Sequence, residues 1–472
     1  MTRFGTLMAR VPALPVSLAP WRSEARATLV LAWPLSLAFL AETAIAMVDV
    51  IIIGRLGADA LAAAALGTTS FFVAFILSLG VTLATAPLAA QAMGARKPRR
   101  VRRVIRQGLW ITILLGFPSA AALLAAEHVL ILLDQPAEAS RSAQVYLDYL
   151  AWALPPAIGF MVLRNFAAVL NRPRLGLWVL LAAIPLNAVL DYGLVLGRLG
   201  MPRMEIAGAG LASLIAHAFM FLAMLWIALR VRPLSRYTIL GRFWRPDWSV
   251  FLQIFRVGLP IAGILTLEFG LIVVSLVMIG WIGPNALAAH QIALMLASVT
   301  FKVPLGISQA ATVRVGNAAG RGDVAGIARA GWTAMIMGVV FMAAMTLIMW
   351  TWPDALASIF LDRADAGNAA VMTLAASLIL VAAVFQIGDG AQTIGAGVLR
   401  GLSDTKIPMT FAAFGFWVLG LSAGYLLAFR FDLGAVGVWI GITVGLSTVA
   451  LFHVARFRHL TRIGYLPRVA TD

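Results

Sequence analysis

Apolar residues run along this chain in stretches of roughly 20 or more, the length a helix needs to cross about 30 Å of hydrocarbon. Short links, basic or containing Gly and Pro, separate them. The pattern predicts six membrane helices over residues 27–54, 66–92, 105–126, 143–170, 173–197 and 206–229. Six more are predicted over 251–280, 286–312, 327–351, 370–399, 407–430 and 434–456.

The two sets of six repeat one another. Pro34, Gly54, Gly57 and the run Leu61-Ala62-Ala63 recur at one constant interval as Pro260, Gly280, Gly283 and Leu287-Ala288-Ala289. Gly80 and Gly94 recur in the same register as Gly306 and Gly320, and after a small slip Gly108 matches Gly331 and Gly208 matches Gly437. A shared register over such a length reads as internal duplication. Each copy holds an even number of spans, so both enter the bilayer from the same side. That is the parallel kind of repeat, with the transport path expected between the halves. The predicted fold is an all-α polytopic membrane protein of twelve transmembrane helices in two pseudo-symmetric six-helix lobes. Its expected parts are an arm over 1–26, an N-lobe over 27–230, a linker over 231–250, a C-lobe over 251–456 and a tail over 457–472.

Composition agrees. Hydrophobic residues make up 61% and charged residues 12%, with mean hydropathy +0.93, where a soluble domain is near half apolar and a quarter charged. A net charge of +16 would suit nucleic acid if it formed one basic face, but here it is segregated by loop. Arg3, Arg10, Arg22 and Arg26 precede the first span; Arg96, Arg99, Arg100, Arg102 and Arg103 follow the second; Arg230, Arg232, Arg236, Arg242 and Arg245 fill the linker; Arg456, Arg458, Arg462 and Arg468 end the chain. The alternate loops carry Asp59, Glu127, Asp134, Glu138, Asp354, Asp362 and Asp365 instead. The positive-inside rule then places both termini in the cytoplasm. The first 26 residues have no long apolar core before a small-residue cleavage site and read as a cytoplasmic arm. With no cysteine there is no disulfide, thiolate metal site or cysteine nucleophile.

Five acids fall inside the spans: Glu42 and Asp49 in the first, Asp191 in the fifth, Glu268 in the seventh and Asp389 in the tenth. A carboxylate at membrane depth is costly and is a functional candidate by default; Asp148, near the start of the fourth span, reads equally as interfacial. At about 1.5 Å rise per residue, Glu268 lies about 18 Å above Arg256 and Asp389 about 16 Å above Arg400, so the two can face each other. Asp191 lies about 26 Å above Arg174 and Asp49 about 22 Å above Pro34, a second pair in the outer half. Asn187 precedes Asp191 by one turn on the same face. Paired carboxylates with amide or hydroxyl oxygens hold either a hard cation or a proton, so Na⁺ or H⁺ is expected at Asp49, Asn187 and Asp191 or at Glu268 and Asp389. Lys302 and Arg164 are the candidate counter-ions, Lys302 toward Glu268 or Asp389. His217 and His290 read as cross-helix bonding partners, with proton relay as the second reading.

Longer motifs surround these residues. The first span carries Val48-Asp49, then Gly54, Leu56-Gly57 and Leu61-Ala62; the eighth opens with Ala288-Ala289-His290-Gln291 and closes with Arg314-Val315-Gly316-Asn317. The tenth continues from Asp389 through Gln392 to Leu399-Arg400-Gly401, then Asp404-Thr405-Lys406 and Pro408. Over nearly its whole length the chain resembles the multidrug and toxic compound extrusion (MATE) family, bacterial NorM-like or DinF-like secondary exporters. The resemblance implies a V of two lobes that opens alternately to either side, driven by Na⁺ or H⁺ and needing no cofactor. It implies an N-lobe ion or proton site at Asp49, Asn187, Asp191 and Ser213, with Ser213 where Thr is common, and a C-lobe site at Glu268 and Asp389. Glu42, Gln291, Lys302 and Gln392 are accessory candidates. Lys302 stands where an apolar residue is expected, and its charge would disfavour Na⁺ nearby.

The expected activity is export of cationic amphipathic drugs or toxic organic compounds by a monomer in the bacterial inner membrane, with no nucleic-acid partner. A lipid-linked oligosaccharide flippase of the same superfamily is the first alternative, but it should line its cavity with Arg. An integral-membrane enzyme is the second, yet neither Asp-rich Mg²⁺ motifs nor His-Glu-x-x-His is present, and none of the three lysines, Lys97, Lys302 and Lys406, sits in a phosphate loop.

Overall fold

The computed structural model describes residues 19–362 and 365–467; Arg3, Arg10 and Arg468 lie outside them. Among the described residues twelve helices are long and apolar enough to cross a membrane. They are α1 Ala19–Leu56, α2 Ala58–Gly94, α3 Pro98–Leu123, α4 Ala137–Val169, α5 Arg174–Leu196, α6 Glu205–Arg230, α7 Trp248–Ile282, α8 Pro284–Gly320, α9 Val324–Thr351, α10 Ala369–Gly401, α11 Lys406–Arg430 and α12 Gly434–Arg462. There is no strand among the described residues.

Several helices begin earlier than the apolar pattern alone predicts. Asp59 and Glu138, read from sequence as loop acids, occupy the first turns of α2 and α4, where a negative charge meets the positive end of the helix dipole. Arg22 and Arg26 likewise lie on α1 and not on an arm. The turns before α2 and α8 need Gly57 at φ 115° and Gly283 at φ 139°, a region in which only glycine is unstrained. Proline sets the internal breaks. The α2 helix is interrupted at Ala84, where Pro87 has no N–H to give to Leu83, and α4 tightens over Ala151–Ala153 before Pro155 and Pro156.

The linker is packed. Leu234 and Ile239 are fully buried, Phe243 stacks on Trp110 at 5.5 Å, and the Arg106 guanidinium donates to the Gly241 and Arg242 carbonyls.

Helices α1 and α8, and α2 and α7, join the two halves, and the repeated glycines are where they meet. A Cβ on Gly80 would lie 2.2 Å from Ala262 Cα, and one on Gly306 would lie 2.1 Å from Ser36 Oγ. Gly94 abuts Asn317 and Gly320 abuts Gln91 in the same reciprocal way. Each contact is the image of the other under the repeat, so the pseudo-two-fold axis passes between these helices. Small residues permit this approach where lipid supplies no hydrophobic drive.

At the basic end one apolar core runs through both halves, from Leu35, Val81 and Phe166 to Ile254, Ile307 and Val398. Toward the opposite end it divides. Ile53, Leu147, Leu154 and Val195 form one cluster in the first half, and Met278, Leu378, Phe416 and Trp439 form another in the second. The molecule is closed at the arginine-rich end and split at the other.

Candidate ion sites and the central cavity

In the first half, α1, α5 and α6 bring four polar side chains together. Asn187 Nδ2 donates to Asp49 Oδ1 at 2.5 Å and to Asp191 Oδ2 at 2.7 Å, and Ser213 Oγ donates to Asp49 Oδ2 at 3.2 Å. One amide nitrogen, with two hydrogens, thus holds two carboxylates. Asn187 and Asp191 are wholly buried; Asn187 Oδ1 and Asp191 Oδ1 have no hydrogen-bond partner. Among the described residues no Lys or Arg forms an ion pair with either carboxylate. Two carboxylates so placed repel unless a proton or cation joins them, and the two unpartnered oxygens are acceptors for it.

His217 bonds through Nδ1 to the Ser213 carbonyl of its own helix, 2.8 Å away, and not across helices as expected. Tyr146 of α4, buried against the cluster with its hydroxyl in the field of Asp49, was missed from sequence. The available signal was a phenol inside an apolar span, which needs a partner for its hydroxyl.

Glu42 stands apart from this group. Arg164 of α4 reaches it at 2.5 Å, itself only 3% exposed at the side chain, and the guanidinium rests on the Phe39 ring at 4.9 Å. The acid that is two turns from Asp49 in sequence is therefore neutralised by a structural partner. Asp148 is an exposed acceptor for Gln144 at 2.8 Å.

In the second half Glu268 lines a cavity of about 310 Å³ at the fork, where the single core divides. The cavity draws walls from α1, α2 and α4 and from their repeat counterparts α7, α8 and α10. Asp389 is buried within electrostatic reach of Glu268 but does not line the cavity. Gln392 does, and its carbonyl is bonded to His453 Nδ1 at 3.0 Å. Two expectations change here. Lys302 lines the cavity but forms no ion pair with Glu268 or Asp389; the acid whose charge it feels is Glu42. Arg400, taken from sequence as a marker of the membrane boundary, turns into the cavity near Glu268, so height above its Cα is a poor gauge of depth. Gln291 is exposed and outside the cavity lining. His290 accepts from Trp439 Nε1 on α12 at 3.1 Å, a cross-helix bond.

The MatE family profile matches residues 34–193 and again 260–426. The two matches begin at the repeat-equivalent prolines of α1 and α7. A protein of Mesorhizobium japonicum named probable multidrug resistance protein NorM is 45% identical, covering 94% of this chain and 95% of its own. One of the same name from Bradyrhizobium diazoefficiens is 46% identical over 92% and 93%. Among solved structures, a multidrug resistance MATE family transporter in an outward-facing conformation shares the fold with a TM-score of 0.84 at 20% identity, over 93% of this chain and 96% of that one. The eukaryotic MATE transporter AtDTX14 shares it with a TM-score of 0.82 at 21% identity, over 95% and 100%. With a profile matched twice in register and relatives aligned from end to end, the chain belongs to the MatE family of multi-pass membrane transporters.

Proposed function

We propose that this protein exports toxic organic compounds, amphipathic cationic drugs among them, in exchange for Na⁺ or H⁺ at the bacterial inner membrane. Both termini face the cytoplasm, and a monomer is the working unit. The lobes, 27–230 and 251–456, rock about the interface that α1, α2, α7 and α8 form, so that the cavity opens first to one side and then to the other. Relatives named as multidrug resistance proteins support the substrate class.

The observation that carries the coupling is the pair of carboxylates, Asp49 and Asp191, held by one Asn187 nitrogen with no ion-paired Lys or Arg among the described residues. An arriving proton or Na⁺ relieves their repulsion and takes up the unpartnered oxygens. Glu268, which lines the cavity, and Asp389, buried within its electrostatic reach, form the second acid group. Only an ion that binds one lobe arrangement better than the other can drive the change.

Everted vesicles given a fluorescent substrate in the medium test this, because export then appears as uptake into the lumen. Asp49→Asn, Asp191→Asn, Glu268→Gln and Asp389→Asn are each expected to depress export at normal protein levels, and four variants that pump like wild type would refute the assignment. Imposing a Na⁺ gradient and a pH gradient separately identifies the coupling ion.

A further inference from the structure

At the arginine-rich end a cavity of about 540 Å³ lies beside α1, apart from the acid groups and from the central cavity. Arg22, Arg26, Val30 and Leu31 of α1 line it, with Asn171 from the turn between α4 and α5 and Arg314 of α8. One acid adjoins it, Glu24, and both its oxygens are taken by Nε and Nη2 of Arg314. The other acids at this end among the described residues are taken as well. Asp247 lies 3.6 Å from Arg103, Asp323 3.7 Å from Arg329 and Asp404 2.8 Å from Arg456. Arg22 and Arg26 are exposed and form no ion pair among the described residues. Residues 1–18 add Arg3 and Arg10 and contain no acid. With Glu24 set against Arg314, the cavity keeps two positive charges in excess.

The duplication shows that these charges are no requirement of the shared scaffold. At the constant interval between the halves, Arg22 and Arg26 correspond to Trp248 and Leu252 of α7. The cations belong to α1 alone, at the place where it is tied to α8.

The surface next to the cavity describes the rest of the ligand. Arg22, Arg26, Val30, Trp33 and Leu37 follow one another at spacings of three or four, one face of a helix, and all five are exposed. From Arg26 to Leu37 the rise is about 16 Å, close to the roughly 15 Å that one leaflet contributes to the hydrocarbon core. Arg174 of α5 sets its guanidinium over the Trp33 ring at 5.2 Å, a further cation beside the same face. A small soluble anion would use only the basic end of this stripe. A phospholipid uses its whole length, because guanidinium groups bind phosphate oxygens through charge-assisted bonds while the apolar residues face an acyl chain.

We propose that this cavity and the adjoining face of α1 bind one anionic phospholipid. Its phosphate lies between Arg22 and Arg26, the Asn171 amide is a further donor, and an acyl chain runs along Val30, Trp33 and Leu37. The bound lipid adjoins the Glu24–Arg314 pair and so touches the tie between α1 and α8. The site does not depend on the export reading.

Native mass spectrometry of the purified full chain in detergent gives the dissociation constant of the first lipid bound. Dioleoyl phosphatidylglycerol and dioleoyl phosphatidylcholine, titrated separately, share their acyl chains and differ in net charge. The wild type is expected to favour the anionic lipid by about ten-fold or more, since each surface arginine contributes about five-fold. In the double variant Arg22→Gln, Arg26→Gln the ratio should fall below about two, and with Lys at both positions most of it should remain. Arg458 and Arg462 of α12 are exposed and one turn apart in the same way, so Arg458→Gln with Arg462→Gln is the matched control and should leave the ratio unchanged. Reading a ratio within each variant removes differences in the amount of folded protein. Glycerophosphoglycerol, the same headgroup without acyl chains, should not displace the lipid at concentrations at which the lipid saturates. Equal binding of the two lipids by wild type, a ratio that survives loss of Arg22 and Arg26, or an equal fall in the α12 control overturns the inference. Displacement by the deacylated headgroup also overturns it, since the site would then be one for a soluble phosphate.

Discussion

If the basic end closes through the repeated glycines, adding one methyl group there must hold it open. In Gly320→Ala the new Cβ would sit 2.0 Å from the Gln91 carbonyl oxygen, whereas ordinary contact begins near 3.4 Å. The obstacle is backbone on an opposing helix, so no side chain can turn away. The helices must part by more than 1 Å. Overpacking of this kind costs about 1–3 kcal/mol. Parting them also strains the bonds from Gln91 Nε2 to the Gly401 carbonyl and to Ser403 Oγ, both 2.9 Å, each worth about 0.5–1.5 kcal/mol. A total of about 2–6 kcal/mol moves the closed-to-open equilibrium at this end by about 30- to 25,000-fold. The chain contains no cysteine, so one introduced thiol reports without background. Ala90→Cys, fully buried at the closed end, is expected to react slowly with a charged thiol reagent applied to the basic face and rapidly once Gly320→Ala is added. Gly280→Ala, with open space around its Cβ, should leave the rate unchanged. An unaltered rate in the Gly320→Ala background would refute the reasoning.

Other perturbations test neighbouring parts. Arg314 donates from Nε and Nη2 to the two carboxylate oxygens of Glu24 at 2.7 and 2.6 Å, tying α8 to the start of α1. Glu24→Gln and Arg314→Gln should each speed labelling of the same thiol. Their double-mutant cycle should show coupling of about 1–3 kcal/mol, and additive effects would mean that the pair does not hold the end shut. Asp247 caps α7, accepting from Ser249 Oγ at 2.7 Å and the Val250 N–H at 3.3 Å. Partial burial pushes its pKa up, but these bonds and the Arg103 and Arg106 charges outweigh that and hold it below the usual carboxylate value. Its stabilisation is therefore complete above about pH 4 and lost as pH falls through the lower folded value. Asp247→Ala should cost about 1 kcal/mol at pH 7 and flatten the acid dependence of amide exchange at the start of α7. An unchanged acid profile would show that the cap contributes nothing.

The twelve spans were legible because their signal is run length and composition, which depend on no partner. The register of the duplication was legible for a related reason. Gly80, Gly94, Gly306 and Gly320 sit where helices of the two halves come too close for a side chain, and such positions repeat without drift. Asn187 and Asp191 were readable as a unit because one helical turn separates them. Helical rise gives height and face, however, and it does not say which helix stands opposite. That information decided the rest: Glu42 meets Arg164 of α4, Lys302 meets neither C-lobe acid, and Arg400 bends its long side chain into the cavity away from the boundary that its position suggested. The packing of the linker was hidden for the same reason, since the donor to its Gly241 and Arg242 carbonyls, Arg106, stands on α3.

On the export reading, α1 is placed to link ion binding to the opening of the basic end. Asp49 stands near one end of this helix among the first-half acids, Ser36 touches Gly306 and donates to the Val303 carbonyl at 3.2 Å midway, and Glu24 holds Arg314 near the other end. From Asp49 to Glu24 the rise is about 38 Å, so a small tilt at the ion site becomes a larger displacement at the far end. Its repeat counterpart α7 has the interface contacts, Ala262 against Gly80 and Gly258 against Val81, but Ser275 where α1 has Asp49. On the export reading, ion occupancy in the first half therefore acts on the interface through α1. On the same reading the α7 acid, Glu268, which lines the cavity, is the one for which the substrate's own charges compete.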